Sequence, residues 1–241
     1  MRRTVVVTGG GTGIGAAVAD RFSADGDRVF ICGRRERPLR EVAARLGDAV
    51  SWHRCDVTDP AQIASWCGSL PANVDVLVNN AGGNTDFDRA EPTSLEDLAA
   101  TWMANLRANL LSAVLVTSAL ADRLASGGAV ISLGSIAADK GAGAYGAAKA
   151  AIASWNVGLA EEVGRRGVTA NVVAPGYTAG TEYFRDRLTE DRRTGLIGAT
   201  DTGRAGSPED IAGAISFLAS PAARQITAQV LAVNGGAYTT R

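Results

Sequence analysis

Residues 4–15 read TVVVTGGGTGIG. A short β-branched run passes directly into a glycine-rich turn, and a helical pattern follows over 13–25. The glycines fall at 9, 13 and 15 in a Gly-x-x-x-Gly-x-Gly spacing. Glycines allow a sharp turn and let backbone N–H groups approach a pyrophosphate, while the next helix presents the positive end of its dipole. On its own such a turn is only a tight connection. Placed after a strand and at the start of a βαβ unit, it reads as a dinucleotide-phosphate cradle with candidate contacts Gly9, Thr12, Gly13, Ile14 and Gly15.

The same alternation continues to the end of the chain. Strands are expected at 4–8, 28–32, 49–55, 74–79, 128–133, 168–173 and 230–233, several of them almost wholly apolar, as strands covered on both faces are. Helical patterns occupy 36–46, 60–69, 94–125, 143–165 and 208–219. Asp59-Pro60 and Ser207-Pro208 supply an N-cap followed by proline at the first helical position. Such alternation implies parallel strands and right-handed crossovers, hence one doubly wound, seven-stranded α/β domain of Rossmann type spanning 1–241. The stretch 176–206 breaks the rhythm with charge, glycine and threonine, and it starts at the carboxyl edge of the sheet, where ligands bind in such folds. It reads as a substrate lid.

Composition narrows the function. The net charge of −1 gives no electrostatic case for nucleic acid or an acidic membrane surface. The apolar run near the N-terminus is too short for a signal peptide or a membrane span, so the protein is expected to be cytoplasmic. Cys32, Cys55 and Cys67 form no CxxC or Cys/His cluster, so no metal site is expected. The single histidine, His53, has no partner at metal or triad spacing. The basic residues are nearly all arginine, the only lysines being Lys140 and Lys149, a bias that suits a GC-rich genome.

The second strand ends in Cys32-Gly-Arg-Arg-Glu36. An NAD site places an acid near here for the ribose 2′-hydroxyl. Arg34 and Arg35 stand there instead, and a planar guanidinium suits the 2′-phosphate of NADP by charge and bidentate geometry. Asp56, with Val57 beside it, either accepts from an adenine amino group or caps the next turn. Asn80, Ala81 and Gly82 follow the fourth strand and leave room for a ribose. In AYGAAKAA (144–151), Tyr145 and Lys149 share a helical face. A nearby cation favours the phenolate, so Lys149 is expected to lower the pKa of Tyr145.

TGGGTGIG (8–15), NNAG (79–82), a serine near the end of the fifth strand, YxxxK (145–149) and APG (174–176) occur in that order. The chain thereby resembles the single-domain short-chain dehydrogenase/reductase family, in its ketoacyl-reductase-like members, over essentially its whole length. The resemblance implies a tetrad of Asn109, Ser135, Tyr145 and Lys149. NLLSAVLVT (109–117) matches the family's asparagine segment, with Asn105 one turn earlier on the same face. The family's usual serine-to-tyrosine spacing falls on Ser132, whereas GSIAA (134–138) matches its SSIA pattern and selects Ser135, with a shortened loop before Tyr145. Pro175 and Gly176 match the PG motif, and backbone near Thr178 is expected against the nicotinamide carboxamide.

The implied activity is an NADPH-dependent ketone reduction, with a polyketide or other secondary-metabolite intermediate as one candidate substrate. Tyr145 would be the acid, Ser135 the carbonyl donor, Lys149 the pKa-setting and ribose-binding cation, and Asn109 the holder of a relay water. The expected partners are a small-molecule ketone or alcohol and further copies of the chain, as a homotetramer or homodimer. An NAD-dependent alcohol or sugar dehydrogenase, and a non-catalytic dinucleotide-binding redox sensor, are the competing readings. Tyr177, Tyr183 and Phe184 either stack on a substrate ring or pack the lid against the body.

Overall fold

The computed structural model describes residues 2–239. Seven parallel strands form one sheet in the order β3-β2-β1-β4-β5-β6-β7. They are β1 (Thr4–Thr8), β2 (Arg28–Gly33), β3 (Val50–Arg54), β4 (Val74–Asn79), β5 (Leu124–Leu133), β6 (Thr169–Pro175) and β7 (Val230–Val233). The order reverses between β1 and β4, which opens a crevice at their carboxyl ends. The cradle leaves β1 and the NNAG turn leaves β4, so both motifs flank that crevice.

Period-two alternation divides the core into two layers. Val5 and Val7 of β1 face Phe22 of α1 (Gly13–Ala24) and Ile211 and Ile215 of α8 (Pro208–Leu218). Val6 faces the other way, into a layer with Leu77, Trp66 of α3 (Pro60–Gly68) and Val116 and Leu120 of α5 (Ser112–Leu120). All three valines are fully buried, the condition for a strand that reads as a continuous apolar run. α2 (Glu36–Leu46) completes the first layer through Leu39 and Val42.

Three boundaries depart from expectation. The helix expected over 94–125 is α4 (Leu95–Leu106), a π turn at Arg107–Leu111 and α5, and β5 begins at Leu124 inside the expected helix. The stretch Leu95–Arg123 is long and apolar enough to cross a membrane (mean hydropathy 1.3), yet it buries Asn105 and Asn109 against a loop and Val116 and Leu120 in the core. The segment after β6 is not all loop. Its two ends meet in a bridge between Thr178 and Gly206, and it contains α7 (Glu190–Gly198), capped by Thr189.

Candidate active site

The cradle is built so tightly that only glycine fits. A Cβ on Gly15 would lie 2.2 Å from the Gly9 carbonyl oxygen, and Gly9 and Gly13 have left-handed φ values of +67° and +52°. Asn80 ties the two crevice walls together: its Nδ2 donates to the carbonyls of Thr8 (2.9 Å) and Gly9 (3.1 Å). The Thr8 hydroxyl accepts from the N–H groups of Asn80 and Ala81, both at 3.0 Å. Thr12 makes no side-chain capping bond at the start of α1, and the first turn carries no acid. Free N–H groups with no competing carboxylate fit a pyrophosphate.

At the end of β2, Arg35 Nη2 lies 2.5 Å from Glu182 Oε2. The Arg34 carbonyl accepts from Arg54 Nε at 3.3 Å. Asp56 Oδ1 accepts from the N–H and hydroxyl of Thr58, both at 2.9 Å, while Val57 is buried in the second core layer. Pro175 closes β6, and Gly176 packs so close to Asn234 that a Cβ would come within 2.8 Å. Thr178 is buried, its hydroxyl donating to the Gly176 carbonyl at 3.3 Å.

Tyr145 and Lys149 are both buried on α6 (Gly143–Gly164). The small residues around them serve the protein's own packing: a Cβ on Gly146 would meet the Ala137 carbonyl at 2.6 Å, so α6 docks on the short turn Ile136–Ala138. Lys149 Nζ donates to the Leu133 carbonyl at 2.7 Å and lies 5.8 Å from the centroid of the Tyr145 ring. Burial lowers the Lys149 pKa to about 8. The expected depression of the Tyr145 pKa is not what the structure shows. Burial raises it, and interactions with the Ser135 and Tyr183 hydroxyls offset this in part. The reason is geometric: the Lys149 ammonium is directed at a backbone carbonyl, and desolvation of a phenolate outweighs it.

The two candidate serines are separated by their surroundings. Ser132 is fully buried within β5, its hydroxyl 3.5 Å from Asn79 Nδ2. Ser135 lies beyond the strand end beside Tyr145, and its hydroxyl accepts from the Ala137 N–H at 3.1 Å. Asn109 sits in the π turn, and both of its amide N–H donors are used, on the carbonyls of Gly83 and Asn105, each at 3.0 Å. Its Oδ1 accepts from the Gly83 N–H at 3.0 Å. The side chain therefore fixes the loop after β4. Asn105 extends the same function, donating to Asp86 at 2.6 Å and accepting from the Thr85 N–H.

Sequence reading missed what lies over Tyr145. The ring of Tyr183, from the segment after β6, is 5.6 Å from that of Tyr145. Tyr183 also packs on Phe87 (5.6 Å) and Phe184 (4.9 Å), and Phe184 on Tyr177 (5.8 Å). Arg185 pairs with Asp88 beneath this cluster. The segment's aromatics pack on one another and, through Phe87 and Tyr145, against the body. The small hollow of about 170 Å³ beside His53 lies between β3 and α3, away from these groups. The three cysteines are buried, and the described residues contain no cluster of metal-ligating side chains.

Fold and site together define a Rossmann-type protein that carries a glycine cradle after β1 and a buried phenol–amine pair beside the end of β5. Residues 9–238 match a family model described as enoyl-(acyl carrier protein) reductase. The chain is 35% identical over 244 residues to the 3-oxoacyl-(acyl-carrier-protein) reductase FabG of Escherichia coli (strain K12), covering 98% of this chain and 97% of that protein. A short-chain dehydrogenase/reductase structure from Brucella melitensis superposes with a TM-score of 0.89 at 28% identity over 100% of both chains. A blue fluorescent protein from a metagenomic library, solved in complex with NADPH, gives 0.85 at 31% identity over 98% of both chains. The protein belongs to the short-chain dehydrogenase/reductase family.

Proposed function

We propose that this protein is an NADPH-dependent ketone reductase in which Tyr145 is the acid, Ser135 the second donor to the carbonyl oxygen, and 176–206 the lid. The observation that carries this reading is the approach of two hydroxyls, Tyr145 and Ser135, beyond the end of β5, with a buried cation beside them. Two donors aimed at one oxygen suit a reaction in which negative charge develops on that oxygen. A nicotinamide coenzyme held there would supply the hydride. Tyr145 holds its proton at neutral pH as any phenol does, the more so because burial raises its pKa, and it gives that proton to the forming alkoxide. Ser135 stabilises the same oxygen. Lys149, cationic below about pH 8, stabilises the phenolate left behind. Asn109 is a positioning residue that holds the loop facing them. The cradle residues, Asn80, Ala81 and Gly82 would hold the phosphates and ribose, and Arg34 and Arg35 the 2′-phosphate.

The family model and the relatives differ over the bond reduced, a C=C in one and a C=O in the other. Hydroxyl donors would serve an alkoxide or an enolate oxygen alike, and the 35% identity over nearly the whole chain to a 3-oxoacyl reductase favours C=O. Following NADPH absorbance with a 3-oxoacyl thioester, the matching enoyl thioester and a panel of aromatic and polyketide-like ketones decides the matter. Consumption with ketones only is expected, and turnover of the enoyl substrate alone would overturn the reading. Replacing Arg34 and Arg35 by alanine should raise the KM for NADPH about 10- to 100-fold and leave that for NADH nearly unchanged.

A further inference from the structure

An acid from far along the chain reaches the arginines that follow β2. Glu182 lies 147 positions from Arg35, yet its two oxygens sit 2.5 and 3.5 Å from the guanidinium nitrogens. The nearer acids are engaged on their own helix, Glu36 with Arg40 and Glu41 with Arg37. The placement of Glu182 is built in. Its neighbour Thr181 rests on the cradle, with a Cβ on Gly13 falling 3.4 Å from the Thr181 methyl, and the Thr181 hydroxyl donates to the Thr178 carbonyl at 3.1 Å. The residue before Glu182 is thus fixed to both the phosphate loop and the end of β6.

We propose that Glu182 is a coenzyme-selectivity residue: the lid presents its carboxylate to Arg35, so that carboxylate and 2′-phosphate compete for one guanidinium. This rests on the assignment of Arg35 to the 2′-phosphate. The pair is more than half exposed on both sides, and ion pairs of that kind are weak. A phosphate dianion therefore displaces the carboxylate, at a cost that a coenzyme without the phosphate does not meet.

The test uses fragments that need no turnover. Wild-type protein, Glu182→Gln and Arg35→Ala are titrated calorimetrically with 2′,5′-ADP and with 5′-AMP at low salt. Glu182→Gln should bind 2′,5′-ADP roughly three- to tenfold more tightly with 5′-AMP affinity unchanged. Arg35→Ala should weaken 2′,5′-ADP alone. If Arg35→Ala has that effect but Glu182→Gln leaves the affinity ratio unmoved, or weakens 5′-AMP, the role of Glu182 is overturned and the Arg35 assignment stands. If Arg35→Ala leaves the ratio unmoved, the phosphate assignment falls and the proposal with it.

Discussion

Tyr145 is pulled in opposite directions by its surroundings. Burial favours the neutral phenol, while the Ser135 and Tyr183 hydroxyls favour the phenolate. An acid that must hold its proton until the alkoxide forms is served by that balance. Tyr145→Phe should therefore lower kcat for ketone reduction by about 10²- to 10⁴-fold while NADPH still quenches intrinsic fluorescence. Lys149 loses its charge near pH 8, and in the proposed mechanism that loss would remove stabilisation of the phenolate left after proton transfer. The reductive kcat should accordingly fall as pH rises through 8. In Lys149→Arg, which keeps its charge, that limb should be absent from the pH profile even if the plateau is lower. The serines separate in the same assay: Ser135→Ala should cost about 10²- to 10³-fold in kcat, whereas Ser132→Ala should reduce stability more than rate. The Tyr–Lys pair was legible because both members sit on one helix face. The choice of Ser135 needed its loop pattern. Tyr183 stood out as an aromatic of the lid, but its contact with Tyr145, like that of Glu182 with Arg35, was not legible, because no periodicity links positions so far apart in sequence.

At the scale of elements, the strongest local signals were readable and the weak ones were not. Ser207-Pro208 announced α8, and the structure adds a full capping box there, with Ser207 accepting from the Asp210 N–H and Asp210 accepting from the Ser207 N–H. Arg204 donates to both Asp210 oxygens, at 2.6 and 2.9 Å. These partners hold the Asp210 pKa at about 2. Because the folded-state value is depressed, the stabilisation is present above the unfolded carboxylate value and is lost as pH falls toward 2. Asp210→Asn should lower stability by about 1 kcal/mol at pH 7, a drop of roughly 2–4 °C in Tm, and the difference should vanish in melts near pH 2. By contrast, α7 buries none of its residues, so no apolar period marked it in the sequence. The π turn at Arg107–Leu111 was equally silent, since an apolar helical pattern reads the same through it, although it carries the asparagine that holds the loop after β4.

For the molecule as a whole, the doubly wound topology followed from βαβ alternation and the right-handed crossover rule, with no contact needing to be known in advance. Assembly is a different matter, because a single chain shows only the surface left uncovered. β7 is an edge strand, and its Val230 and Leu231 are exposed together with Phe217 of α8. An apolar edge open to water invites pairing and is normally covered. A second exposed set lies on the long helices, with Leu98, Trp102 and Met103 on α4 and Val157 on α6. Two such surfaces, each able to pair with its own copy, generate a dimer when one is used and a dihedral tetramer when both are. Sedimentation velocity at micromolar concentration should therefore show a dimer or tetramer. Phe217→Glu combined with Leu231→Glu should divide that species in two, because a charge placed on each side of a self-complementary contact repels its own image. Both side chains are exposed in the single chain, so the folded subunit should survive the change, with its circular dichroism preserved. A wild-type protein that sediments only as a monomer would show that these surfaces stay open in solution.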